Sequence, residues 1–146
     1  MSSRRASRRA PSRPQTVVRA DSPCPCGLPA AYGACCGRLH DGRVAAANPE
    51  ALMRSRYAAF AVRDSAYLLR TWHPATRPQR LGLEDGTRWL GLEILDSTEG
   101  SAFHSAGTVT FRARYTDGGR PGVLHERSRF ERFDGAWVYV DGDMLG

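Results

Sequence analysis

Four cysteines, and no others, fall within thirteen residues of this chain, as Cys24-Pro25-Cys26 and, after a gap of eight residues, Cys35-Cys36. Four thiolates complete a tetrahedral shell with metal–sulfur bonds of about 2.3 Å, and soft sulfur selects zinc or an iron–sulfur cluster over hard cations. Disulfides are the weaker reading, because the two members of each pair are too close in sequence for an unstrained bridge. The spacing is tighter than the two-residue gaps of common zinc fingers and ribbons, so the backbone must turn sharply. Pro25 fixes φ between the first two ligands, and Gly27, Gly33 and Gly37 supply positions able to take positive φ. The expectation is one structural zinc ion on Cys24, Cys26, Cys35 and Cys36, since four protein thiolates leave no position for a reactive water. His40 is the reserve ligand should one cysteine fail, and otherwise a solvated loop histidine. Arg38 and Arg43 are placed to offset part of the thiolate charge.

A second group of residues could serve a pocket. Arg54, Arg56, Tyr57, His73, Arg77, His125 and Glu126 are the polar candidates, with His73 or Glu126 as a general base and an arginine as a two-point clamp on an anion. Arg54 and Arg56 lie two apart on one helix, about 200° of rotation, so they cannot both face the same pocket. Competing with catalysis are two structural readings: Glu126 paired with one of these arginines, and Trp72-His73-Pro74 as an aromatic plug and helix stop. No Ser/His/Asp order, glycine-rich phosphate loop or H-E-x-x-H motif is present.

These side chains need elements to hold them. Asn48-Pro49-Glu50 is a helix start, with a capping side chain, proline in the first turn and an acid facing the dipole. Leu52, Met53, Tyr57 and Phe60 recur at three- and four-residue steps, giving one apolar face flanked by Arg54 and Arg56. Asp64 or Ser65 caps a second helix that must end before Pro74. From Thr87 the period becomes two. Trp89 to Leu95 reads as a strand, Phe103 to Tyr115 as a second, Val123 to Phe133 as a third and Trp137 to Val140 as a fourth, joined by Asp117-Gly118-Gly119 and Asp134-Gly135. Helices followed by an antiparallel meander make an α+β fold, helices on one face of a curved sheet.

All 21 basic residues are arginine, and six of them lie in the first twenty residues, where there is no acid; the remainder carries 15 arginines against 15 acids. The chain is thus expected to divide into an Arg/Ser/Pro arm (1–20) that cannot fold alone, a knuckle (21–44) and a single α+β domain (45–146). The arm could gather nucleic-acid phosphate through a salt-dependent term; alternatively the true start lies near Val17 or Val18. No run approaches the roughly 20 apolar residues of a membrane span, and the arm lacks the apolar stretch of a secretory signal. A cytoplasmic protein with reduced thiols and no membrane association is expected.

The segment Cys24-Pro25-Cys26-Gly27 with Tyr32-Gly33-Ala34-Cys35-Cys36-Gly37 resembles the SEC-C zinc knuckle, in which the fourth ligand is commonly histidine; here Cys36 holds that place. Leu52-Met53-Arg54-Ser55-Arg56-Tyr57-Ala58-Ala59-Phe60, Tyr67 to Arg77, and His125-Glu126-Arg127-Ser128-Arg129-Phe130 resemble the YchJ-like family of uncharacterised bacterial proteins. The likeness runs over residues 22 to 142. It implies a zinc knuckle ahead of a cone of the nuclear-transport-factor-two or cystatin-like type and carries no biochemical role; the second knuckle of some relatives is not expected here, because little chain follows the sheet. The leading expectation is a non-catalytic module that docks on a protein or ribonucleoprotein partner or binds a small ligand in the cone. A small-molecule lyase or isomerase is the alternative, nucleic-acid binding a third, and a homodimer through the sheet's outer face is plausible for such cones.

Overall fold

The structure, a computed structural model, describes residues 17–83, 86–98 and 101–146; residues 1–16, most of the arginine-rich arm, lie outside them. Helix α2 (Pro49–Val62) is the element on which the rest is assembled. Asn48 is extended and its Oδ1 accepts from the Ala51 amide at 2.8 Å, with Pro49 in the first turn, so the cap read from sequence forms. Arg63 ends the helix in the left-handed region at φ 62°. Asp64 then caps α3 (Ser65–Arg70), its carboxylate accepting from the Tyr67 amide at 3.0 Å. Ahead of both lies the short α1 (Cys36–His40), preceded by a 3-10 turn at Tyr32–Ala34.

Four antiparallel strands follow, β1 (Thr87–Thr98), β2 (Ala106–Asp117), β3 (Arg120–Phe133) and β4 (Ala136–Met144), each beside its sequence neighbour. Register shifts at Trp89/Gly91, Ile94/Asp96 and Arg129/Phe130 mark bulges. A bulge adds one residue to one strand and increases local twist, so three of them curl the sheet around α2. Two boundaries differ from expectation. Phe103 is outside β2 and 96% exposed, its period-two match being incidental. β4 runs on through Asp141-Gly142, because Gly142 pairs with Ser128 and lies where a Cβ would strike the Glu126 carboxylate.

The mixed α+β class and the curved four-stranded sheet are as the sequence implied. The single apolar face of α2 is not. Leu52, Met53 and Tyr57 pack against Val109, Phe111, Ala113, Phe130 and Trp137 of the sheet. On the other side Ala58 packs against Cys24, Cys26 and Cys36, and Ala59 against Leu39, Tyr67 and Leu68. The helix is a middle layer with both sides covered, which is why Ser55 and Arg56 are buried at 0% and 4% exposure. Small side chains at 58 and 59 let the knuckle and α3 approach its backbone. Among the described residues no helix is long and apolar enough to cross a membrane.

Candidate functional site

Two sites lie on opposite sides of α2. In the first, the sulfurs of Cys24, Cys26, Cys35 and Cys36 all fall within 4.8 Å of one another. A tetrahedral shell with bonds of about 2.3 Å has edges of about 3.8 Å. Cys26 Sγ and Cys35 Sγ are 3.7 Å apart, so the donor set fits one ion. The backbone provides this by two turns. Gly27 takes φ 92° and donates to the Cys24 carbonyl at 3.2 Å, and Cys35 donates to the Tyr32 carbonyl at 3.0 Å. Gly33 and Gly37, expected to supply positive φ, instead allow close approach: a Cβ on Gly37 would lie 2.8 Å from the Tyr32 carbonyl oxygen.

Three of the four thiols, Cys24, Cys26 and Cys36, titrate against one another. Hydrogen bonds from Cys26, then Cys36, hold the Cys24 thiol far below the ordinary thiol range. The bond with Cys24 pushes Cys26 up to about 11, and the bonds with Cys24 and then Cys26 push Cys36 higher still. Cys24 thus ionises readily while Cys26 and Cys36 resist, as thiols sharing hydrogen bonds around one charge do. Arginines contribute from outside the shell. Arg38 Nε donates to the Cys35 carbonyl at 3.4 Å, and Arg54 Nη1 to the Cys26 carbonyl at 3.0 Å while its Nε bonds Glu50 at 3.1 Å. Arg43 is held by Asp41 and the Gly33 carbonyl. Arg54 is therefore a knuckle residue, not a pocket residue.

His40 is neither a solvated loop residue nor a ligand. It is buried, with Nε2 2.8 Å from the Ser55 carbonyl oxygen and Nδ1 2.6 Å from the Tyr32 hydroxyl. A carbonyl can only accept, so Nε2 carries a proton, and Nδ1 is engaged by the Tyr32 hydroxyl, which leaves no free lone pair for a metal. Its ring packs tilted against Tyr67, whose hydroxyl meets Ser55 Oγ at 2.7 Å. This polar seam joins knuckle, α2 and α3.

The second site is a cavity of about 210 Å³ between α2, the exit of α3 and the concave face of the sheet. Of the candidates, Arg56, Tyr57 and Glu126 line it; Arg54, His73, Arg77 and His125 do not. His73 donates its amide to the Tyr139 carbonyl at 2.7 Å, its Nδ1 accepts from Ala75, and its ring lies against Phe133. Arg77 folds back on the Trp72 carbonyl through two donors. His73 and Glu126 are thus not brought together. Nor is the expected ion pair formed: among the described residues no carboxylate lies within 4.0 Å of Arg56. Arg56 Nη1 donates to the Leu68 carbonyl and Thr71 Oγ1, both at 2.8 Å, and the guanidinium carbon lies 5.0 Å from the Trp72 ring and 4.6 Å from the Tyr139 ring. Glu126 Oε2 accepts from Ser128 Oγ at 2.9 Å and the Tyr139 hydroxyl at 3.1 Å. Ser128 and Tyr139 were not singled out in the sequence; the available signal was parity, since Glu126, Ser128 and Phe130 alternate on one strand face.

Burial, before any other cause, pushes the Tyr57 phenol up to about 12 and raises Tyr67 and Tyr139 as well, with Glu126 adding to Tyr139. An unfolded tyrosine titrates near pH 10. The folded values lie above that, so their contribution to stability is present below about pH 10 and lost as pH rises toward about 12. Phenolate absorbance from these three should therefore rise together with loss of the fold; titration near pH 10 in a protein with intact circular dichroism would contradict the burial argument.

Residues 48–142 match the family described as "YchJ, middle NTF2-like domain". Curated relatives include a UPF0225 protein of Streptomyces coelicolor, 66% identical over 123 residues that make up 84% of this chain and 96% of the relative. Another, of Corynebacterium glutamicum, is 52% identical over 83% of this chain and 96% of its own. Among solved structures, a SEC-C motif containing protein from Rhodopseudomonas palustris superposes with a TM-score of 0.72 at 38% identity, covering 84% of this chain and 98% of that one. A SEC-C motif containing protein from Psychrobacter arcticus gives 0.69 at 27% identity, with 87% and 85% covered.

Proposed function

We propose a binding role, without catalysis, for this protein, which belongs to the YchJ family defined by its NTF2-like domain: a zinc-held knuckle fixes one side of α2, and the cone on the other side receives a small ligand. The observation that carries this is the placement of three consecutive residues. Arg54 bonds the Cys26 carbonyl, the Ser55 carbonyl holds His40, and Arg56 enters the cavity. Zinc suits the first site better than an iron–sulfur cluster, because sulfurs within 4.8 Å enclose one tetrahedral ion and leave little room for bridging atoms. Four thiolates close the shell, so the ion's contribution is to hold the chain rather than to activate water. Against an acid–base enzyme stands the cavity lining, which contains Glu126 but not His73.

Elemental analysis of protein made without a metal-binding tag, with thiol titration before and after chelation, tests the knuckle. One zinc per chain and four thiols that react only after chelation are expected. Iron in place of zinc, or four freely reactive thiols in the untreated protein, would overturn it.

A further inference from the structure

The cavity contains a buried cation that makes no ion pair among the described residues; the Glu126 carboxylate lines the same cavity and favours its charge from beyond 4.0 Å. Arg56 is 4% exposed, and its two hydrogen bonds both come from Nη1. Among the described residues Nε and Nη2 have no hydrogen-bond partner, and no carboxylate is close enough to pair. Burial lowers the guanidinium only to about 10, so it remains charged at neutral pH. A buried charge without a direct anionic partner is costly, and Nε with Nη2 is one edge of the planar fork that grips a carboxylate at two points. Trp72 forms part of the same wall, with its indole Nε1 buried behind the surface.

Size and shape narrow the ligand. A dry cavity of about 150 Å³ is filled by benzene. The 210 Å³ here leaves room for one ring with a carboxylate-sized substituent. The walls are aromatic, with Tyr57, Trp72, Trp89 and Tyr139 among them. Tyr139 itself spans the two charged groups, its ring 4.6 Å from the Arg56 guanidinium carbon and its hydroxyl 3.1 Å from Glu126 Oε2. A ring lying alongside Tyr139 spans the same distance. Glu126 Oε1 makes no hydrogen bond among the described residues and can accept from the far end of such a ligand.

We propose that the cone is a receptor for a small aromatic monocarboxylate, its carboxylate on Arg56, its ring among Trp72, Trp89 and Tyr139, and a hydroxyl or amino substituent facing Glu126. This rests on the receptor reading of the cone, and the probes separate the two. The zinc-loaded full chain is titrated with benzoate, 4-hydroxybenzoate and neutral benzamide, read by tryptophan fluorescence and calorimetry. Benzoate should bind at least tenfold more tightly than benzamide, and 4-hydroxybenzoate more tightly than benzoate. Arg56→Lys, keeping the charge but not the fork, should lose about tenfold for benzoate; Glu126→Gln should abolish the preference for the hydroxyl compound and leave benzoate bound. Zinc content and thermal midpoint of each variant show whether it has folded. Equal binding of benzamide and benzoate to the unmodified protein overturns the carboxylate assignment while the receptor stands. No binding of any probe to folded, zinc-loaded protein overturns both.

Discussion

Cys36→Ser is expected to release the metal and lower the thermal midpoint by roughly 10–15 °C, and chelation of the unmodified protein to do the same. Cys36 is 3% exposed, opens α1 and packs with Cys24 and Cys26 against Ala58 of α2. Structural zinc in finger peptides supplies about 10–16 kcal/mol of apparent binding energy, all of which is folding energy where the metal is the only core. Here the sheet side of α2 has its own core of Leu52, Phe130 and Trp137, so only the knuckle and its seam should open. The loss expected from a buried metal ligand is about 3–4 kcal/mol, and at about 3–4 °C per kcal/mol for a chain of this size that gives the stated shift. Restoring zinc should rescue the chelated protein and not the variant. A variant that keeps one metal per chain with an unchanged midpoint would remove the four-cysteine site from consideration.

What was legible in the sequence was whatever local chemistry decides. The Asn48-Pro49 cap and the Asp64 cap placed two helix starts, and period two with Gly-containing turns ordered four strands. The cysteine spacing predicted a cluster, and the sulfurs converge. What stayed hidden depends on packing between distant segments. His40 reads as a surface residue until α1 is laid on α2, when the Ser55 carbonyl and the Tyr32 hydroxyl take both ring nitrogens. Arg56 reads as the polar flank of an amphipathic helix because nothing local says that a knuckle will cover the opposite side. Its surroundings come from two crossings: the Thr71 carbonyl accepts from the Tyr139 amide at 2.8 Å, and His73 returns an amide to Tyr139. That pairing places Trp72 and Tyr139 against the guanidinium, and no periodicity in either segment announces it. Phe103 shows the opposite error, a good alternation match in a stretch that forms no strand.

His40→Ala should cost about 3 kcal/mol while leaving one metal per chain bound, and this pair of results separates a pin from a ligand. The substitution removes the side-chain donor to the Ser55 carbonyl and the partner of the Tyr32 hydroxyl, and takes away a ring whose centroid lies 4.6 Å from that of Tyr67. The hydroxyl left without a partner costs about 1–3 kcal/mol, and the lost bond to Ser55, whose carbonyl α2 still satisfies, and the lost ring contact add to it. Arg70 bonds the Leu39 and His40 carbonyls and Arg54 bonds the Cys26 carbonyl, so the knuckle keeps two attachments and the sulfurs stay in place. The effect should instead travel along α2. Ser55 adjoins Arg56, and a helix that loses its hold on one side has less reason to fix a buried cation on the other. Amide exchange should accordingly quicken across Tyr32 to His40 and through the middle of α2, with the sheet strands β2 and β3 unchanged. Loss of metal from His40→Ala would instead return the histidine to the coordination shell, and an unchanged thermal midpoint would mean that the seam contributes nothing to holding knuckle and cone together.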